Sequence, residues 1–273
     1  MLEFGSPDRP VDLVFLHANG FNALTYRTIL EPMGEDAHIL ALDMRGHGLT
    51  SLETRIEGRR SWLDLRDDLL AFLEALDLTG VVLAGHSMGG AVSLFAAADA
   101  PERVQGLVLL DPVMPAPGYR FIADRAPSPL VAGALKRRAV FPARAAAVET
   151  YSGRSAFRTW RPEMLVDYVT DGFLDTPAGE VTLACRPEWE SCNFAAQDQD
   201  VWDAVPRLRC PAHILRAEIE STCRVDDDTL ALLDSAGVRL DTIAGAGHFL
   251  PMERPDLCRD ALTAALQAGQ PVS

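Results

Sequence analysis

Lysine is almost missing from this 273-residue chain: Lys136 is the only one among 25 basic residues, and acidic residues number 39, for a net charge of −14. A surface of that sign repels phosphate backbones and anionic headgroups, so neither nucleic acid nor a membrane surface is expected as a partner. Long hydrophobic runs are absent as well. No stretch reaches the roughly 18 consecutive apolar residues that a bilayer helix needs, and the opening MLEFGSPD lacks the basic and apolar regions of a secretory signal, so a cytoplasmic location is expected. Cysteine is sparse and odd in number. Cys185, Cys192, Cys210, Cys223 and Cys258 include no C-x-x-C pair and no histidine at zinc-finger spacing, which reads as free, mostly buried thiols. A Gly-rich phosphate loop, a dinucleotide fingerprint and metal-spaced histidines are all missing, so no cofactor is expected. Internal repeats and low-complexity tracts are missing too, and nothing in the chain indicates its oligomeric state.

What is present is a globular composition, 48% hydrophobic and 23% charged. Short apolar runs bounded by turn residues occur at 11–16, 38–42, 81–84, 105–110, 212–215 and 238–243, too short for helices and apolar on both faces, as buried parallel strands are. Helical patterns lie between them at 62–76, 89–98, 226–233 and 255–266. Alternation of this kind predicts an α/β fold with a doubly wound, mostly parallel sheet, whose ligands sit at the carboxyl ends of the strands. There the loops carry Asn19, Asp43, Ser87, Asp111, Glu220 and His248. The alternation stops over 115–205, where Pro-punctuated helical pieces replace it. The expected organisation is therefore a core of 1–114 and 206–273 with 115–205 inserted. The insertion holds 11 of the 19 aromatic residues, most of which are expected to pack its own small core and some to roof an apolar cavity.

The run Val81 to Gly90, VVLAGHSMGG, is a buried strand, a G-x-S-x-G turn and a helix of small residues. A turn this sharp exposes the Ser87 hydroxyl, and the glycines let strand and helix approach closely. Serine is a weak nucleophile near neutral pH and needs an imidazole to take its proton. Of six histidines, His248 follows the last strand in the glycine-rich run AGAGHFLPME and comes late in the chain. His17, His47 and His86 also lie near strand ends and read as hydrogen-bonded structural residues, while His38 and His213 begin strands at the far end of the sheet. The turn HANGF after the strand at 11–16 faces the elbow, and the N–H groups of Met88 and Asn19, or Gly20 if the turn is shifted, are candidates to hold an oxyanion.

Together these segments resemble the α/β-hydrolase fold family. The turn LALDMRGHG at 40–48 and the histidine loop at 245–255 match it too, and the insertion takes the place of its helical lid. Two departures stand out: His17-Ala18 where an HG dipeptide is usual, and an N-terminus too short for the family's complete first strand pair. The resemblance implies a Ser, acid, His triad and leaves the acid open. The usual position, after the strand at 212–215, reads AEIESTC and offers Glu220. Asp111, at the end of 108–110, resembles where some members, certain haloalkane dehalogenases among them, keep theirs. Asp111 is preferred, Glu220 is the alternative, and Asp43 is a third candidate more suited to bonding its own turn.

Serine at the elbow excludes the carboxylate-nucleophile chemistry of haloalkane dehalogenases and epoxide hydrolases and leaves acyl transfer. The expectation is a carboxylic ester hydrolase acting on a small molecule through an acyl-enzyme. Thioesterase, lactonase, carbon–carbon hydrolase and perhydrolase chemistry are alternatives, and a non-catalytic ligand receptor is the reading of another class. Residues 115–165 carry nine basic side chains against three acidic, a net of +6 that leaves −20 on the rest of the chain. A solvated helix face explains this. The sharper reading is that one or two of these arginines point into the cavity and clamp a substrate carboxylate, with Arg158 and Arg161, beside Phe157 and Trp160, as first candidates. Phe21, Trp160 and Phe249 complete the expected substrate-binding set.

Overall fold

The computed structural model describes residues 1–118 and 128–268. Within them the chain forms β1 (Leu2–Phe4), β2 (Leu13–Leu16), β3 (Ile39–Leu42), α1 (Leu63–Ala75), β4 (Val81–His86), α2 (Met88–Asp99) and β5 (Val104–Leu110). The insertion follows as α3 (Pro129–Leu135), β6 (Val140–Phe141), α4 (Arg144–Tyr151), α5 (Pro162–Gly172), β7 (Phe173–Asp175), β8 (Val181–Leu183) and α6 (Pro187–Ala195). The chain then returns through β9 (Ala212–Ala217), α7 (Asp227–Ser235), β10 (Val238–Ile243) and α8 (Pro255–Ala268). Seven strands make one sheet in the order β1-β3-β2-β4-β5-β9-β10. Only β1 is antiparallel to its neighbour.

The central strands β2, β3, β4 and β5 are buried on both faces and their side chains alternate between two apolar layers, as the two-residue period of a strand requires. Val81 and Leu83 of β4 face one layer with Leu65, Leu69 and Leu73 of α1 and Val92 and Phe95 of α2. Val82 and Ala84 face the other, with Cys258 and Leu262 of α8 and Tyr26, Tyr168 and Phe173. The leucines of α1 recur every four residues, so one stripe of that helix covers the sheet. At the start of α7, Asp226 accepts the Thr229 N–H while the Thr229 hydroxyl accepts the Asp226 N–H, and this reciprocal cap fixes where the helix begins. No helix among the described residues is long and apolar enough to cross a membrane.

The expected strands and core helices lie where the apolar runs placed them, with ends shifted by up to two residues. Two features differ. β1 is a three-residue strand, too short to show a period. The insertion contains a three-stranded antiparallel sheet in the order β6-β8-β7 as well as helices. Its strands are two or three residues long, too short to show a period, and Phe141 and Phe173 on two of them pack edge to face at 5.5 Å. The end of the insertion, Trp202–Arg207, packs on α2 and shares its apolar layer.

Candidate active site

Ser87 follows the central strand β4 and has φ 57° and ψ −118°, a conformation that a non-glycine residue adopts only under constraint. The constraint is close packing. A Cβ at Gly85 collides with the backbone of Gly89, and one at Gly89 collides with the carbonyls of Leu16 and His17. Glycine at these two positions lets α2 approach β2 and β4, which holds Ser87 at the top of the turn.

His248 Nε2 stands 3.0 Å from Ser87 Oγ, and His248 Nδ1 stands 2.6 Å from Asp111 Oδ2. Asp111 is fully buried and has φ 39° at the end of β5. Its carboxylate accepts from the Ala217 N–H at 2.8 Å, the Ser221 hydroxyl at 2.6 Å and the Thr222 N–H at 3.1 Å. Burial pushes this carboxyl up, but His248 and the Ser221 and Ala217 donors outweigh it and hold the group below the usual aspartate value. Glu220 does not take this place: it is exposed, with φ 51°, and its loop supplies donors to Asp111 instead of an acid. Asp43 accepts the Ala23 and Leu49 N–H groups at 2.9 and 3.0 Å, so it serves backbone at its own strand end.

The turn after β2 has little to spare. The Ala18 N–H donates to Tyr26 Oη, the Gly20 N–H to His47 Nε2 and the Phe21 N–H to the Ala18 carbonyl. Gly20 is thereby removed as an oxyanion donor. Among the described residues the Asn19 N–H has no acceptor. Neither does the Met88 N–H, which opens α2 where no helical partner exists. Asn19, Ser87 and Met88 line the same cavity.

The three histidines read as structural are hydrogen-bonded, and one of them joins the site. The Ala18 N–H uses an acceptor pair of Tyr26 Oη, so the Tyr26 hydroxyl donates to His86 Nδ1 at 2.8 Å, and His86 Nε2–H donates to the His248 carbonyl at 2.8 Å. This chain connects the turn after β2 to the backbone of His248. Sequence reasoning missed the link, and the only local signal was that His86 adjoins Ser87. Burial pushes His17 down to about 4, and burial with a neighbouring imidazole pushes His47 and His86 down to about 3, so all three stay neutral.

The cavity above Ser87 measures about 620 Å³ and is mostly apolar. Phe21 and Phe249 line it and stack on each other at 6.0 Å and 8°. Trp160 does not line it. It packs behind the wall, 5.2 Å from Phe21 and 5.7 Å from Phe249, with its buried Nε1 unpartnered among the described residues. Arg158 and Arg161 lie elsewhere too. Arg158 is exposed beside a side groove with Glu220 and Glu253, and Arg161 pairs with Asp256 at 2.8 Å on the surface. The short 3-10 turn Ser155–Thr159 brings Phe157 to the cavity and leaves Arg158 in solvent. The arginines that do line the cavity are Arg137 and Arg154, while Arg120 and Arg125 lie outside the described residues.

Comparison with known proteins places the chain. Residues 13–261 match the Alpha/beta hydrolase family, and the chain belongs to it. It is 39% identical over 99 residues to the dihydrolipoyllysine-residue acetyltransferase component of an acetoin cleaving system of Pseudomonas putida, covering 36% of this chain and 26% of that protein. It is 34% identical over 105 residues to N-formylmaleamate deformylase of the same species, covering 38% of each. The chain thus spans well under half the length of these relatives. Among solved structures, E-2-(acetamidomethylene)succinate hydrolase superposes with a TM-score of 0.76 at 20% identity over 97% of this chain and 93% of that one, a likeness of fold.

Proposed function

We propose that the chain is a serine hydrolase that cleaves a small carboxylic ester through an acyl-enzyme. The observation that carries this reading is the line of contacts Ser87, His248, Asp111 at the floor of an apolar cavity. Ser87 Oγ attacks the acyl carbon while His248 Nε2 takes its proton. Asp111 holds Nδ1–H, which fixes the tautomer and stabilises the imidazolium. The carbonyl oxygen becomes an oxyanion facing the Asn19 and Met88 N–H groups, where one donor typically contributes about 100- to 1000-fold in rate. Collapse expels the alcohol, which receives the His248 proton. A water then attacks the acyl-enzyme, giving its proton to His248, and Ser87 departs with it.

In this reading 115–205 serves as the lid, and five free cysteines fit a reducing cytoplasm. Apolar walls favour esters over more strongly hydrated acyl compounds. A panel of chromogenic esters, thioesters and lactones assayed with wild type and Ser87→Ala tests the proposal, with covalent labelling of Ser87 by a fluorophosphonate. Ester cleavage that vanishes in the variant is expected. Equal activity in both proteins removes the claim, and a chain that neither cleaves nor labels overturns it in favour of the non-catalytic reading, which ligand binding then has to show.

A further inference from the structure

One cluster of buried ionisable groups takes no part in the steps above. Arg137, just after α3, donates Nη1–H to Glu190 Oε2 at 2.6 Å and Nη2–H to Tyr168 Oη at 2.7 Å. All three residues line the cavity, and they come from three separate parts of the insertion: the loop after α3, α5 and α6. The cluster abuts the turn after β2: a Cβ at Gly20 would stand 2.6 Å from Glu190 Oε1 and 3.3 Å from Arg137 Nη1. In an apolar cavity this is one polar corner, next to the N–H groups that face the acyl carbonyl.

The hydrogens decide what it binds. Tyr168 Oη is already an acceptor for Arg137, so its own hydrogen is left for another acceptor, and among the described residues it has none. Burial raises the phenol above its usual value, which keeps that hydrogen in place. The charges decide what it rejects. Arg137 and Glu190 neutralise each other at contact distance, so an incoming carboxylate meets attraction and repulsion of similar size while losing its hydration. A neutral oxygen needs only the donor.

We propose that Tyr168, held by Arg137 and Glu190, is a specificity-determining residue that donates a hydrogen bond to a neutral oxygen, a keto, hydroxyl or amide oxygen, on the acyl group of the substrate. This rests on the ester-hydrolase reading and names the substrate class within it. It replaces a carboxylate clamp at Arg158 and Arg161, which the cavity does not contain.

The test uses three esters of one leaving group, whose acyl chains carry a keto oxygen, a methylene or a carboxylate at the same position. Wild type is expected to favour the keto over the methylene ester by about tenfold or more in kcat/KM, because a buried donor left unpaired rejects the analogue. In Tyr168→Phe that ratio falls to near one. In Glu190→Gln the ratio of carboxylate to keto ester rises, since the repulsion is gone. Circular dichroism and fluorophosphonate labelling of Ser87 establish that each variant is folded and competent. A keto-to-methylene ratio that Tyr168→Phe leaves unchanged overturns the proposal alone, as does a wild-type preference for the carboxylate ester. Absence of any ester cleavage and of labelling in wild type overturns the hydrolase reading and this proposal with it.

Discussion

Replacing Asp111 by asparagine separates its role from that of every other carboxylate in the site. In the native arrangement its close donors are Ala217 N–H and Ser221 Oγ on one oxygen and Thr222 N–H and His248 Nδ1–H on the other, with the Thr222 hydroxyl farther off at 3.4 Å. An amide keeps one oxygen only. If its nitrogen faces His248, it donates to Nδ1, the ring carries its hydrogen on Nε2, and the proton of Ser87 has nowhere to go. The Thr222 N–H also loses its acceptor. If the nitrogen faces Ala217 instead, a buried backbone donor is left unpaired. Either way one unsatisfied buried group costs about 1–3 kcal/mol of stability. The first orientation also removes the working tautomer, an effect of about 10⁴ in kcat where this arrangement has been measured in serine proteases. The expected outcome is a fold-competent protein with kcat lower by about 10³- to 10⁴-fold and a lower urea midpoint at unchanged slope. Glu220→Gln, by contrast, alters an exposed side chain and should leave both within about twofold of wild type in rate and about 0.5 kcal/mol in stability. Steady-state kinetics on the best ester and urea unfolding read both quantities. An Asp111→Asn protein that keeps a tenth of wild-type kcat, or a Glu220→Gln protein that loses it, would refute the assignment.

Ser87→Ala and His248→Ala should each lower kcat by at least about 10⁴-fold, with the double variant no worse than either single one, because the two groups act as a unit. Losses that multiply would separate them. The buried neutral His17, His47 and His86, pushed down to about 4, 3 and 3, set an acid limit on the fold. Below about 6.5 the unfolded chain takes up protons that the native imidazoles refuse, so stability falls as pH falls from about 6.5 toward 4. At pH 5 each histidine removes about 2 kcal/mol, and the three together remove about 6 kcal/mol, a large share of a typical domain's stability. Urea midpoints that stay level between pH 7.5 and 5 would contradict this. Tyr26→Phe cuts the chain of bonds from Ala18 to the His248 carbonyl, and should lower kcat about tenfold at nearly constant KM, equivalent to about 1.4 kcal/mol. An unchanged kcat in a destabilised variant would make that chain structural only.

Much of this protein is written in short stretches of its sequence. Buried parallel strands need near-continuous apolar runs, amphipathic helices need a stripe, and the elbow needs glycine where backbone meets backbone at Gly85 and Gly89; each of these is a local requirement and is legible residue by residue. Ser87 and His248, which the structure brings within 3.0 Å of each other, stand out in the same way, from a motif in a strand-turn-helix context and a loop after the last strand. The acid is less legible: the sequence favours Asp111 over Glu220 only through the family resemblance, and the structure brings Asp111 to His248. Asp111 and Glu220 end the neighbouring strands β5 and β9, more than a hundred residues apart in the chain, and which carboxylate meets His248 depends on side-chain directions that only the assembled sheet sets. The loop of Glu220 contributes by donating Ser221 and Thr222 to Asp111. The choice among the insertion's arginines was equally non-local. Arg137 reaches the cavity because Glu190, 53 residues away, and Tyr168, 31 residues away, hold it there, whereas Arg158 and Arg161 sit beside aromatic residues in sequence and beside solvent in space. Local periodicity encodes which face of an element is buried, but where a charged side chain points is a property of the partners that surround it, and those are brought together only by the fold.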